Sequence, residues 1–180
     1  MTFDTSSYGS DVLSANAILV EISLFMAMFL DALANVTESL VGQAYVDQNK
    51  DCFREVIIKT FIQCILMTSF FVIIYVTFRG QIVNLFTSID SVKFEINRYI
   101  VFSIILPIVA SVSFWIDGVF VGMLETTAMR NAMILSSIVY IVFIGLLFGL
   151  GNYGLWLALI IFYVARTIFL GFQLKRYLLS

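Results

Sequence analysis

Between Asn131 and Ala165 the sequence runs for 35 residues without a charged side chain. A helix crosses the hydrocarbon core of a membrane with about 20 apolar residues, so this run is too long for one crossing and can supply two. The glycine-rich segment 149–154 lies inside the run, and glycines at such spacing are typical of a turn. The run therefore predicts two membrane-crossing helices joined by a short turn.

The composition of the whole chain also indicates a membrane protein. Hydrophobic residues make up 61% of the 180 residues and charged residues 12%, with a mean hydropathy of +1.02. Soluble chains have roughly 45–50% apolar and about 25% charged residues. These values exclude the water-soluble enzyme classes and predict an all-α, polytopic membrane protein.

Five stretches of the chain are long and apolar enough to cross a membrane. We expect the crossings at about 12–44, 56–78, 99–124, 131–148 and 155–174, with residues 1–11 before them and a tail of residues 175–180 after them. On the side of the tail, the segments 45–59 and 125–130 and the tail itself carry six Lys and Arg, against three on the other side. Because positive charges concentrate in cytoplasmic loops, residues 1–11 should be extracytoplasmic and the tail cytoplasmic.

Several classes of function are made improbable by what the sequence lacks. It has no histidine, which is the commonest general base and metal ligand. The net charge is −2 and the basic residues are scattered, so we expect no nucleic-acid partner. The G-x-G-x-x-G match at 149–154 follows no strand, which indicates a turn and not a nucleotide site. We expect no enzyme, no metal site and no organic cofactor.

Polar residues inside the predicted first crossing are candidates for function. Placing an ionisable side chain at the middle of a membrane costs about 2.5–3.5 kcal/mol of free energy, so such a side chain usually faces a cavity and has a functional role. Asp31, Asn35, Glu38 and Gly42 fall on one face of a helix. Two other interpretations stay open for this stripe: a structural network between helices, or a helix end already in water.

Asp117 interrupts the third crossing, with Ser113 one turn earlier on the same helix face. Pro107 leaves the carbonyl of Ser103 without its usual backbone donor. A carboxylate, hydroxyls and a free carbonyl on one face could hold a proton or a small cation. A buried aspartate that only packs against another helix would give the same pattern. Arg166, in the last crossing, either pairs with an acid such as Asp117 or extends to the membrane surface.

Several segments resemble those of one transporter family, in the family's order. They are LDALANVTESLVGQA at 30–44, LFT at 85–87, SFWIDGVFVG at 113–122, TAMRNAM at 127–133 and GNYGLWLA at 151–158. From about Ser14 to Gly171 the chain therefore resembles the MATE (multidrug and toxic compound extrusion) transporters, in the branch named after DNA-damage-inducible protein F.

The resemblance implies more about the fold and the function than the hydrophobic pattern of the sequence does. MATE transporters have twelve helices in two lobes and exchange organic cations and other xenobiotics for protons or sodium. The five crossings would be helices eight to twelve, which implies a partner in the bilayer: the N-terminal lobe or a separate subunit. The protein would be a multidrug efflux antiporter of a bacterial-type plasma (inner) membrane. The alternative is a membrane assembly module, or a truncated remnant, with no transport activity alone.

For an antiporter of this kind, we expect the polar residues inside the crossings to bind the coupling cation or the substrate. Asp117 comes first, followed by Asp31 and Glu38, with Asn35 and Ser113 as their hydrogen-bonding neighbours. In the sodium-coupled branch a tyrosine stands one turn before the matching aspartate, where this chain has Ser113.

Overall fold

The computed structural model describes the backbone of residues 5–179 and the side chains of residues 9–178. Over that range it consists of five long helices and contains no strand. The helices are α1 (Thr5–Val46), α2 (Lys50–Phe86), α3 (Asp90–Gly122), α4 (Thr126–Leu146) and α5 (Asn152–Leu179), with one 3-10 turn at Phe148–Leu150 between α4 and α5. All five are long and apolar enough to cross a membrane, so the predicted all-α membrane class is confirmed.

The first three helices are much longer than one crossing requires. They contain 42, 37 and 33 residues, against the roughly 20 that span the hydrocarbon core. Most of the segment 79–98, which we expected to be a connection, is helical, because α2 continues to Phe86 and α3 starts at Asp90. The start of α2 is capped by the side chain of Asn49, which accepts a hydrogen bond from the Cys52 amide at 3.0 Å.

Helix α3 lies at the centre of the bundle and contacts each of the other four described helices. Its most extensive contact is with α1, where Gly118 and Gly122 meet the α1 backbone. A Cβ atom added to Gly118 would lie 2.4 Å from the carbonyl oxygen of Ala34, and one added to Gly122 would lie 2.6 Å from that of Glu38. Small residues four apart thus bring two helix backbones into direct contact, as in many membrane helix pairs.

Two clusters of buried apolar residues pack on α3, one on each half of the helix. Val119, Phe120 and Trp115 belong to the cluster that includes the end of α1 and the start of α2. Ile96 and Ile100 belong to the other cluster, which lies near the starts of α1 and α5. Each half of α3 is therefore held by several neighbouring helices at once.

Buried polar groups along α3 and α5 are paired across helices. The indole nitrogen of Trp115 donates to the hydroxyl of Thr60 at 3.1 Å. The amide side chains of Asn16 and Asn152 bond to each other in both directions, at 2.6 and 3.0 Å. Trp156 also donates to Asn16, at 3.0 Å. Such bonds replace the water that these groups would otherwise need, since lipid offers no partner.

The connection between α4 and α5 comprises residues 147–151, so it begins and ends a few residues earlier than the predicted turn at 149–154. The chain leaves α4 through the 3-10 turn, and Gly151 has a φ of +56°, which favours glycine. Helix α5 then begins at Asn152, so Gly154 is helical. A Cβ atom there would lie 2.2 Å from the carbonyl oxygen of Leu147, so this glycine permits the close return of the chain.

Replacing Gly118 by alanine should destabilise the bundle, because the added methyl group would collide with the Ala34 carbonyl. We expect a loss of about 1–3 kcal/mol in the free energy of unfolding, which is typical of overpacking. The matched control is Gly80→Ala, because a Cβ atom at Gly80 meets nothing within 4 Å. Unfolding in mixed micelles measures both variants, and equal stability of the two would contradict the close α1–α3 contact.

Candidate functional site

Asp117 of α3 forms an ion pair with Arg166 of α5. Nη2 of Arg166 lies 2.9 Å from Oδ2 of Asp117, and the two side chains are only 15% and 18% exposed. The sequence left open whether Arg166 pairs or extends to the membrane surface, and the structure selects the pair. Two opposite charges at this depth stabilise each other far better than either is stabilised by lipid.

The ion pair does not use all of the polar atoms around it. Oδ1 of Asp117, Nε of Arg166 and the hydroxyls of Ser113 and Thr167 are buried without a hydrogen-bond partner. In the part of the chain that the structure describes, only Glu95 offers another such side-chain atom. Buried polar groups are rarely left unpaired in folded proteins. These four atoms belong to Ser113 and Asp117 of α3 and to the adjoining residues Arg166 and Thr167 of α5, so a small polar ligand or an ion held by these helices would have donors and acceptors available.

Arg166 also connects the site to α4. Its Nη1 donates to the sulfur of Met133 at 3.2 Å, and a thioether sulfur is a weak acceptor. The guanidinium group is thus held by one charged contact and one weak one.

An apolar groove of about 120 Å³ lies beside the ion pair, between α1, α3 and α5. Phe114 and Tyr163 line this groove, and their rings stack at 6.3 Å between centroids with 23° between planes. Phe114 lies one turn before Asp117, and Tyr163 one turn before Arg166. The groove therefore adjoins the charged pair and offers aromatic faces to an apolar ligand.

Asp31 is the member of the predicted α1 stripe that comes near this site. It lies one turn before Ala34, which touches Gly118, and its carboxylate interacts electrostatically with Asp117. The side chains of Asp31 and Asn35 are exposed, and that of Glu38 is half-buried. Glu38 lies further along α1, where the helix passes Gly122. The structure therefore places the α1 stripe along the part of α3 that carries Asp117, with Ala34 touching Gly118 and Glu38 touching Gly122.

The expected contribution of Ser103 to the same site is wrong. Its hydroxyl donates to the carbonyl oxygen of Ile100 at 2.9 Å and lies 2.8 Å from the hydroxyl of Tyr75 on α2. Helix α3 also runs without a break through Pro107. Fourteen residues of helix separate Ser103 from Asp117, which is about 21 Å. Ser103 therefore binds α2 to α3 and is too far away to share a ligand with Asp117.

Several residues of interest were not singled out by the sequence. Glu95 is buried in α3, and its carboxylate lies 3.7 Å from Arg98. Glu95 shares a buried helix face with Val92, Ile96 and Tyr99. The sequence did not indicate this face because the third crossing was expected to start only at about residue 99. Met133, Tyr163 and Thr167 are common in membrane helices, so only their position beside the ion pair distinguishes them.

Comparisons with known proteins identify the family of the chain. The sequence model of the MatE family matches residues 1–146. DNA damage-inducible protein F of Escherichia coli (strain K12) is 31% identical over 169 residues, which is 94% of this chain and 37% of that relative. The chain thus spans little more than a third of the length of this relative. No solved structure matches.

The matched residues include most of the site. Helices α1 to α4, with Asp31, Ser113 and Asp117, lie within the family match, whereas Arg166 follows it. MATE family proteins are membrane transporters. With a five-helix membrane fold, a family match over most of its length and a relative at 31% identity, the chain belongs to the MATE transporter family.

Proposed function

We propose that the chain acts within a MATE-type antiporter that exports organic cations or other xenobiotics in exchange for protons or sodium. The observation that carries this proposal is the buried carboxylate of Asp117, which has one oxygen, Oδ1, free of any hydrogen bond. An ionisable group inside a membrane helix marks an ion or substrate pathway more often than a packing contact.

The surroundings of Asp117 fit the two ligands that an antiporter must bind in turn. A proton or a small cation needs only oxygen atoms, and Oδ1 of Asp117 and the hydroxyl of Ser113 are both buried and unpaired. An organic cation also needs an apolar surface, which the groove lined by Phe114 and Tyr163 provides. The lobes of such transporters rock around a shared site. If the coupling cation and the organic cation compete for one carboxylate at that site, the export of one is coupled to the entry of the other.

The uncovered face of α1, which carries Asp31 and Asn35, is an argument that these helices pack against a partner. Asp31 and Asn35 are exposed in the described structure, although they lie within a helix that crosses the membrane. Lipid tails cannot satisfy a carboxylate or an amide, so these groups need protein or a water-filled cavity opposite them. We propose that the N-terminal lobe of the transporter, or a separate subunit, supplies this surface and closes the cavity.

The same uncovered face favours a second candidate function, a membrane assembly module without transport activity alone. Both candidates require a partner, and they differ in whether Asp117 is needed for exchange. In both, we propose a bacterial-type inner membrane and a cytoplasmic C-terminal tail, as the excess of Lys and Arg on that side supports.

Replacing Asp117 by asparagine should abolish exchange, because the amide cannot carry the charge that proton and organic cation compete for. In everted vesicles containing the complete transporter, proton-driven uptake of ethidium should fall to the level of vesicles without the protein. Asp117→Glu should restore part of it at the same protein level. The control is Asp90→Asn, an exposed carboxyl at the start of the same helix. Wild-type uptake by Asp117→Asn would contradict the proposal.

The partner can be detected independently of transport. An antibody against residues 175–180 should find the chain in native membranes as part of a larger species that holds the remaining helices of a twelve-helix transporter. The reason is that Asp31 and Asn35 need cover inside the membrane. Native electrophoresis followed by denaturation measures both sizes. A lone species near 20.3 kDa under native conditions would contradict a partner of either kind.

A further inference from the structure

The guanidinium group of Arg166 occupies the position beside Asp117 that a free cation would take. Its Nη2 lies 2.9 Å from Oδ2 of the carboxylate, and both side chains are more than four-fifths buried. Arginine stays protonated in proteins, so this positive charge is permanent. The carboxylate therefore already has a cation, and that cation belongs to the chain.

A second cation would bind poorly while this contact exists. The remaining unpaired oxygens are Oδ1 of Asp117 and the hydroxyls of Ser113 and Thr167. An ion bound to Oδ1 would lie within a few ångströms of the guanidinium, and like charges at that separation repel strongly where water is scarce. Three free oxygens are also few, since hard cations in proteins are usually surrounded by about six.

The guanidinium of Arg166 has hydrogen-bonding capacity that the ion pair does not use. Apart from the ion pair, its recorded contact is the weak one to the sulfur of Met133, and its Nε is buried and unpaired. A second carboxylate, Asp31, lies on the neighbouring helix α1, one turn before Ala34, whose backbone touches Gly118 beside Asp117. Arg166 thus has spare donors, and Asp31 provides an alternative negative charge on the neighbouring helix.

We infer that Arg166 is a tethered cation that blocks Asp117, so that this carboxylate takes up a free cation only when the guanidinium moves away toward Asp31. The inference rests on the proposed function, because it concerns how the cation site of the antiporter opens. It makes Arg166 a positioning residue, and it predicts that the resting site binds no sodium ion through Asp117.

The test is sodium binding to the chain in lipid nanodiscs, without transport. Equilibrium dialysis with radioactive Na⁺ at mildly alkaline pH should show no binding to the wild type that depends on Asp117. Arg166→Gln should bind Na⁺ at least about tenfold more tightly, because removing the tethered charge removes the repulsion. Arg166→Lys, which keeps the charge, should behave like the wild type. Adding Asp117→Asn to Arg166→Gln should abolish the binding.

Controls separate the inference from a loss of folding and from the proposed function. Arg176→Gln removes an exposed arginine from the same helix and should leave Na⁺ binding unchanged. Wild-type Na⁺ binding that Asp117→Asn removes would overturn the inference, whether or not Arg166→Gln folds. Equal Na⁺ binding by Arg166→Gln and Arg166→Lys, or none by folded Arg166→Gln, would also overturn it. Failure of the proposed function would appear instead in the ethidium assay, as exchange that does not need Asp117.

Discussion

The contact between the backbones of α1 and α3 is the constraint on which the rest of the structure depends. Gly118 and Gly122 have no side chains, so the α1 backbone at Ala34 and Glu38 can rest directly on α3. This contact fixes the height of one helix against the other and brings the carboxylates of Asp31 and Asp117 within electrostatic range. Larger residues at the two glycines would separate the helices and the charges together.

The second constraint is that polar groups inside the membrane must find partners in the protein. Asn16, Tyr75, Ser103 and Trp115 meet this requirement fully and link helices. Asp117 and Arg166 meet it only in part, since each keeps an unpaired buried atom beside two unpaired hydroxyls. Incomplete pairing is costly in lipid, and a binding site repays that cost when its ligand arrives. The fully paired residues therefore hold the helices together, whereas the partly paired residues form the candidate site.

The sequence predicts the helical membrane fold and singles out Asp117 as a candidate, but it does not predict how the candidate site is assembled. The five helices follow from length and hydropathy, and Asp117 is conspicuous because it is the one charged residue in the predicted crossing 99–124. Its pairing with Arg166 depends on the packing of α3 against α5, which periodicity within one helix does not encode. Ser103 was assigned to the same site because it shares a helix face, and only the structure gives it Tyr75 as a partner. Arg166 lies beyond the family match, so the family comparison does not point to it either.

A double-mutant cycle on unfolding in mixed micelles tests the central claim, the buried pair of Asp117 and Arg166, most directly. Asp117→Asn and Arg166→Gln should each destabilise the chain by about 3 kcal/mol or more, since each leaves an unpaired charge. The double variant leaves no charge unpaired. Its loss in the free energy of unfolding should therefore be at least about 1 kcal/mol smaller than the sum of the losses of the two single variants. Losses that add within about 0.5 kcal/mol would show that the two side chains do not interact, and would contradict the account.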